Sequence, residues 1–511
     1  MLIESAGASP VFGVEGRNRF RLGYPALVLL LSIELVGMQV ARLPESMRFD
    51  RFAFCDHGAN LTLQYLIANG LRPSLDFGYT YGLIPPLVGR FWFGLFGATP
   101  WTYQAAMVVT DILCAWAIAR TLSYLKIGAV GLALALITVG YSCHATYVNF
   151  AHAIEAILLC FAIAQQTRGS LAGALAFATA AVFAKPSMGY VYGLLLVLLI
   201  VRNLRLNGFS LRRLLTAFTP AAVVFLSLAA VICLTYGLPT FLLTVLPVEG
   251  VTHYRALNFG LLRAGRGLWD PKTVPWIFYL VGVSGFWIAS TIFLFGSALF
   301  QFYREGVGTL AARRSEILVT CAILHLAFLV LFFGNQWSWI YYSYILMIGT
   351  VIAVDLGPGM RGAGVALCVL ALLSWISVAR WSQQWWKNTA PDPATAGLWA
   401  PEDERTEWLQ VLAMARGHKA VILDTMGAAE LLSPGFAEPV SLFLLPGLML
   451  PADLRRKLEQ LSNAEIVVVP TITIVTCSGI PDASEFKDAL KSFDLAWSGK
   501  HFEVFRRGAV P

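Results

Sequence analysis

Residues 55–82, CDHGANLTLQYLIANGLRPSLDFGYTYG, gather Asp56, His57, Arg72, Asp76, Tyr79 and Tyr81 directly after the first long apolar run of the chain. A carboxylate such as Asp56 can take a proton from a hydroxyl, or it can cap the helical pattern that begins there and closes at Gly70. Asp76, Tyr79 and Tyr81 offer hydrogen-bonding groups to sugar hydroxyls; the plainer reading is a turn-stabilising Asp and interfacial aromatics. Lys185 in FAKPSMG lies between Arg168 and Arg202, which enclose only 33 residues. Two full membrane spans ask for about 40, so the hairpin tip is drawn below the surface. A lysine there either snorkels outward or pairs with an anion such as a lipid phosphate. A third group, His253, Arg255, Arg263 and Arg266, lies in VEGVTHYRALNFGLLRAGRGLWDPK with glycines at 260, 265 and 267. It reads as a solvated loop or as a lid that grips phosphate or substrate.

The elements that must position these groups are apolar. Of 511 residues, 57% are hydrophobic and 13% charged, and the mean hydropathy is +0.67, which a soluble fold of this size does not hide from water. The chain reads as an α-helical polytopic membrane protein. A bilayer core of about 30 Å needs about 20 residues per helix. Eleven runs meet that measure, near 22–40, 101–119, 127–142, 148–165, 170–184, 187–201, 215–236, 274–297, 317–334, 338–355 and 362–379. The stretch 83–97, LIPPLVGRFWFGLFG, is short, split by Pro85 and Pro86 and interrupted by Arg90, and reads as an interfacial or re-entrant helix. The eight cysteines are scattered with no CxxC pair and read as small core residues, not as disulfides or a zinc site. The mild formal charge of +7 comes without a basic tract that would suggest nucleic acid. Glu34, Asp111, Glu155 and His325 fall within spans and must face the bundle interior.

Cations in the short loops set the orientation. With the N-terminus inside, fourteen lie on the cytoplasmic side: Arg17, Arg19, Arg21, Arg120, Lys126, Arg168, Arg202, Arg205, Arg212, Arg213, Arg304, Arg313, Arg314 and Arg361. Ten lie opposite: Arg42, Arg48, Arg51, Arg72, Arg90, Lys185, Arg255, Arg263, Arg266 and Lys272. The bias favours a cytoplasmic tail over 1–21, and an odd number of spans places everything after about residue 380 outside. The first run is long for a signal-peptide core and no clean A-x-A site follows, so it reads as an anchor.

Composition shifts near residue 380. ARWSQQWWKN carries three tryptophans, as an interfacial belt does, and 381–400 has the Pro and charge content of a linker. Beyond it, 401–511 alternates helical patterns (PEDERTEWLQVLAMARG, PADLRRKLEQL) with buried-strand runs (KAVILD, AEIVVVPTITIV) and a hairpin turning at Ser498 and Gly499. That alternation suggests a small extracytoplasmic α/β domain. It lacks a GxGxxG or P-loop, so no nucleotide is assigned.

The run GLRPSLDFGYTYGLIPPL resembles a pattern G-x-x-P-x-x-D-F-x-Y-x-Y-G-x-x-P found in the first outer loop of GT-C class multi-pass glycosyltransferases, the superfamily of dolichyl-phosphate-mannose mannosyltransferases and lipid A aminoarabinose transferases. Those enzymes carry a catalytic Asp some twenty residues before the P-x-x-D-F segment, and Asp56 occupies that place. His57 stands where a Glu is common, which leaves a base role for Asp56 but unsettles a two-carboxylate arrangement. Architectural likeness covers most of the chain, with a transmembrane glycosyltransferase domain over 22–380 that includes the long outer loop 41–100, while motif likeness is confined to residues 50–100 and, more weakly, FAKPSMGYVYG. The resemblance implies a hexosyl- or pentosyltransferase of a bacterial inner membrane. A polyprenyl-phosphate-linked sugar would be its donor and a glycan, lipid or protein hydroxyl its acceptor. Asp56 would be the catalytic base, with Asp76, Tyr79, Tyr81, Lys185, His253, Arg255, Arg263 and Arg266 as substrate-binding residues. No cofactor is assigned; a divalent metal stays open, with no second carboxylate placed to hold it.

Two rival classes share the composition. A lipid-linked-sugar flippase or transporter also carries buried carboxylates, but paired repeats with Gly/Pro-broken spans are not evident here. An O-antigen ligase or polymerase concentrates its motif in a late outer loop, whereas this chain places it early. A reporter active only in the cytoplasm, fused after residue 400, is expected to stay silent. A bright signal there would change the span count and displace the outer-domain assignment.

Overall fold

In lipid, a long apolar run can satisfy its backbone only as a helix or a closed barrel, and this chain takes the helix. The computed structural model describes residues 23–143, 149–246, 274–306, 313–331, 342–444, 448–471 and 484–508. After α1 (Tyr24–Ala41), the outer segment forms α2 (Leu43–Ser46), α3 (Phe49–Phe54), α4 (Asp56–Ala68) and α5 (Ile84–Phe96). The bundle continues as α6 (Pro100–Tyr124), α7 (Ala129–Ser142), α8 (Phe150–Arg168), α9 (Leu171–Ala184), α10 (Pro186–Leu206) and α11 (Leu211–Tyr236). It ends with α12 (Leu238–Val245), α13 (Val274–Glu305), α14 (Arg313–Leu331), α15 (Ser343–Val354) and α16 (Pro358–Asn388). Among the described residues, eight helices are long and apolar enough to cross a membrane, and α7, α9 and α15 are shorter apolar helices. Together they occupy the eleven apolar runs read from sequence.

Sequence signals set several boundaries. Thr99 and Thr102 form a capping box at the start of α6, with Pro100 in the first turn. Gly169, at φ 101°, and Ser170, which caps α9, turn the chain between α8 and α9 in two residues, so these helices pack antiparallel. The intramembrane polar groups find interior partners. Glu34 accepts the Gly140 amide at 3.0 Å, Gln39 donates to Asp111, and His325 meets the Thr291 hydroxyl at 3.1 Å. At 13 residues α5 is about 20 Å long, too short to cross.

The stretch 381–400, read as a linker, is ordered. α16 runs on to Asn388, and β1 (Thr389–Asp392) pairs antiparallel with β2 (Leu398–Pro401). Packing explains the difference: Trp386 donates to the Ala41 carbonyl at 2.8 Å, and the Arg48 guanidinium lies 4.2 Å over the Trp385 ring. Next come α17 (Glu402–Ala415), β3 (Ala420–Ile422), α18 (Ala429–Leu432), α19 (Pro451–Asn463), β4 (Ile466–Pro470), α20 (Ser484–Leu490), β5 (Phe493–Ser498) and β6 (Phe502–Arg507). The sheet order is β3-β4-β6-β5, with β3 and β4 parallel and the other pairs antiparallel.

This α/β unit shares a core with the outer segment. Met47, Phe49, Phe52 and Phe54 pack with Trp399, Trp408, Val468 and Phe502, and the buried Trp408 ring lies 5.1 Å from both Phe49 and Phe502. The Ala428 amide donates to the carbonyls of Phe52 and Ala53, 3.0 Å from each. That approach needs a glycine at position 58, where a Cβ would stand 1.6 Å from the Phe52 oxygen and 2.7 Å from the Ala428 nitrogen. Gly58→Ala is therefore expected to destabilise the protein by about 3 kcal/mol, the upper end of overpacking costs. Gly94→Ala, in α5 with nothing near its Cβ position, should leave the midpoint unchanged or higher. Thermal unfolding of the two purified variants checks the contrast.

Candidate active site

Asp56 opens α4, after an extended Cys55 at φ −150° and ψ −170°. No side chain caps this helix, so the carboxylate is directed elsewhere. Burial raises its pKa to about 6, against the opposing pull of the Arg51 and Lys185 charges and of a hydrogen bond from the Asn149 side chain. Asn149 is itself the cap of α8, its Oδ1 accepting the Ala151 amide at 2.7 Å. One side chain thereby ties Asp56 to the start of α8.

Lys185 sits at the turn between α9 and α10. Being followed by Pro186, it is pushed out of helical geometry to φ −153° and ψ 114°, which ends one helix and starts the next. α9 has 14 residues, about 21 Å of helix against a bilayer core of about 30 Å, so the tip and its lysine stay recessed. The Lys185 ammonium lies against the His152 ring, 3.2 Å from Nδ1 and 3.3 Å from Nε2, and 5.6 Å from the Tyr342 ring centroid. His152 Nδ1 is 3.9 Å from Glu155 Oε2, and the Tyr342 hydroxyl donates to that same oxygen at 2.7 Å.

The aromatic part of the outer segment closes over this corner. Tyr81 meets His152 edge-on with centroids 5.9 Å apart, and Tyr79 meets Tyr81 at 5.8 Å. Tyr79 donates its hydroxyl to the Gly82 carbonyl at 3.0 Å. The Gly82 amide in turn donates to the Ala184 carbonyl at 3.0 Å, and a Cβ at position 82 would stand 2.1 Å from the Phe183 oxygen. Only glycine lets the loop lie this close to the lysine-bearing tip.

Of the residues singled out by sequence, Asp56, Tyr79, Tyr81 and Lys185 are gathered here. Asp76 lies in a turn of its own: its carboxylate accepts from the Arg72 amide at 2.8 Å and pairs with the Arg72 side chain at 2.9 Å. Hydrogen bonds from Arg72 hold its pKa below the usual carboxylate value. Its carbonyl accepts from Arg456 of α19 at 2.6 Å, so this turn is also a docking point for the C-terminal unit. His253, Arg255, Arg263 and Arg266 lie outside the described residues. Sequence reasoning did not assign Asn149, His152, Glu155 or Tyr342 to the site. The signal for the first three was a polar residue at every third position, 149, 152 and 155, along one face at the start of an apolar helix. Among the described residues no group of three or more His, Cys, Asp or Glu could hold a metal ion.

The corner thus brings a carboxylate with a raised pKa within electrostatic reach of a recessed ammonium, at the junction of the helical bundle and the C-terminal α/β unit. Such a pair can accept a proton on one side and hold an anion on the other.

No protein-family model and no curated protein matches the chain. Among solved structures, it is similar to ArnT from Cupriavidus metallidurans, crystallised bound to undecaprenyl phosphate, with a TM-score of 0.52 and 13% identity over 96% of this chain and 99% of that one. The arabinofuranosyltransferase AftD from mycobacteria aligns with 96% of this chain and 40% of its own, at a TM-score of 0.45 and 12% identity. The likeness to ArnT shows the fold, a helical membrane bundle with a small C-terminal sheet region.

Proposed function

We propose that this chain is an integral membrane glycosyltransferase that moves a sugar from a polyprenyl-phosphate donor to an acceptor hydroxyl, at the outer face of a bacterial inner membrane. The observation that carries the reading is the approach of Asp56 to Lys185 at the outer end of a GT-C bundle. ArnT, the similar structure, was solved with undecaprenyl phosphate, a lipid of the donor class that Lys185 would meet.

In the proposed reaction Asp56 takes the proton of the acceptor hydroxyl. The hydroxyl oxygen forms a bond to the anomeric carbon as the bond from that carbon to the phosphate oxygen breaks, with inversion. The lipid phosphate leaves with the electron pair, and the Lys185 ammonium stabilises its charge. Tyr79 and Tyr81 line the side from which the sugar is held, Asp76 braces the adjoining turn through Arg72, and His253, Arg255, Arg263 and Arg266 supply further cations for the phosphate. The C-terminal domain stands outside with the reacting groups, and the sugar can be a hexose or a pentose.

Asp56→Asn keeps the shape but cannot take a proton, so it is expected to lower kcat by about 10²- to 10⁴-fold with no change in the unfolding midpoint. The base must be ionised, and burial raises its pKa to about 6. Wild-type kcat/KM should therefore be flat at neutral pH and fall as pH drops through about 6. A variant with wild-type turnover, or a profile without this acid limb, assigns the base elsewhere.

Lys185→Ala removes one charge-assisted contact worth about 1.5–3 kcal/mol. The KM for the lipid donor should rise roughly ten- to hundredfold in a membrane-extracted assay, with expression near wild type. Unchanged donor kinetics would leave Lys185 as a structural group packed against His152 and Tyr342.

A further inference from the structure

From Gly169 to Val248 the chain contains no Asp or Glu. Yet the ends of α10 and α11 that face away from the outer domain carry Arg202, Arg205, Arg212 and Arg213 within twelve residues. Arg213 is bonded to the Asn207 and Gly208 carbonyls. Arg205 and Arg212 are exposed, and no carboxylate among the described residues pairs with either. The opposite end of α11 identifies which face this is: Ile232 and Tyr236 pack in the same cluster as Phe77 and Leu448 of the outer region. The arginine rim is therefore at the far surface of the membrane.

Directly beneath Arg212 an open groove of about 870 Å³ runs along α11 toward the bilayer centre, walled by Ala176 of α9 and by Leu215, Thr219, Pro220 and Val223. Two features of the chain form it. Pro220 lies inside α11 and has no amide to give the Thr216 carbonyl, which notches the helix. α9 presents only an alanine opposite. Along its 26 residues α11 buries no more than Ala221, Ile232 and Tyr236, so the groove faces lipid.

We propose that this groove is a binding site for an anionic phospholipid of the leaflet opposite the outer domain. The phosphate would sit between Arg205 and Arg212 and one acyl chain would lie along Leu215, Pro220 and Val223. The order of chemistry, an exposed cationic rim at Arg205 and Arg212 over an apolar slot, is that of such a lipid. Free phosphate would use the rim and leave the slot unfilled. A second copy of this chain, side by side in the bilayer, would set an identical arginine rim against this one, and like charges oppose that contact.

The test uses the full-length protein reconstituted in vesicles of equal parts phosphatidylcholine and phosphatidylglycerol, then released for native mass spectrometry. The wild type is expected to retain phosphatidylglycerol in preference to phosphatidylcholine. The surface double variant Arg205→Gln/Arg212→Gln should lose roughly thirty-fold of that preference, the effect of two interfacial cations. Ala176→Phe, which fills the slot and leaves the rim intact, should lower retention as well. Equal retention of the two lipids by wild type overturns the proposal, as does a preference untouched by the double variant. Retention that depends on the rim but not on the slot assigns the arginines to loose phosphate attraction, and a dimer broken by Ala176→Phe assigns the groove to a second copy.

Discussion

One backbone contact, the Ala428 amide shared between the carbonyls of Phe52 and Ala53, ties the C-terminal domain to α3, the short helix that precedes Asp56. Around it Phe49, Phe52 and Phe54 enter the same core as Trp408 and Phe502. Neither side could bury those rings alone: the outer segment is a set of short helices, and the C-terminal sheet has four strands. The residues that would act on substrate are thus held by two bodies at once, bundle below and domain above. Asp56 sits at their junction because α4, which it opens, continues the shared packing through Leu61 and Leu63. The domain reads from this as part of the wall of the site and not as an appendage.

A lysine at membrane depth is expensive unless partnered, and the surroundings of Lys185 supply partners from three directions. His152 and Glu155 come from α8, Tyr342 from the start of α15, and the charge of Asp56 from the outer segment. A bound phosphate would add another negative charge to this set, and Arg51, also near Asp56, offsets part of it. On the proposed function the site is already poised for an anion before any donor arrives. The contrast with Asp76 is instructive: its carboxylate is taken by Arg72 in an exposed turn, and its backbone serves the docking of α19.

Much of the fold was legible because lipid imposes one rule on every span, and each apolar run announced itself by length. Lys185 was legible as recessed because 33 residues cannot make two full crossings. Asp56 could be singled out as a carboxylate at a helix start, but only the structure shows that it leaves the cap unmade and turns to Asn149. Glu155 was read as one more interior group, since a sequence does not say which helices lie beside α8. The stretch 381–400 looked like a linker for the same reason. Its prolines and charges are those of a solvated segment, while Trp385 and Trp386 meet partners more than 300 positions away, the Arg48 guanidinium and the Ala41 carbonyl.

The central claim is that Lys185, facing Asp56, receives the phosphate of a polyprenyl-linked donor. The most direct measurement is an experimental structure of the protein with undecaprenyl phosphate added in a lipid nanodisc. The account predicts the phosphate within hydrogen-bonding distance of Lys185 Nζ, on the side open to Asp56. A phosphate bound elsewhere, with Lys185 still held by His152, would contradict it.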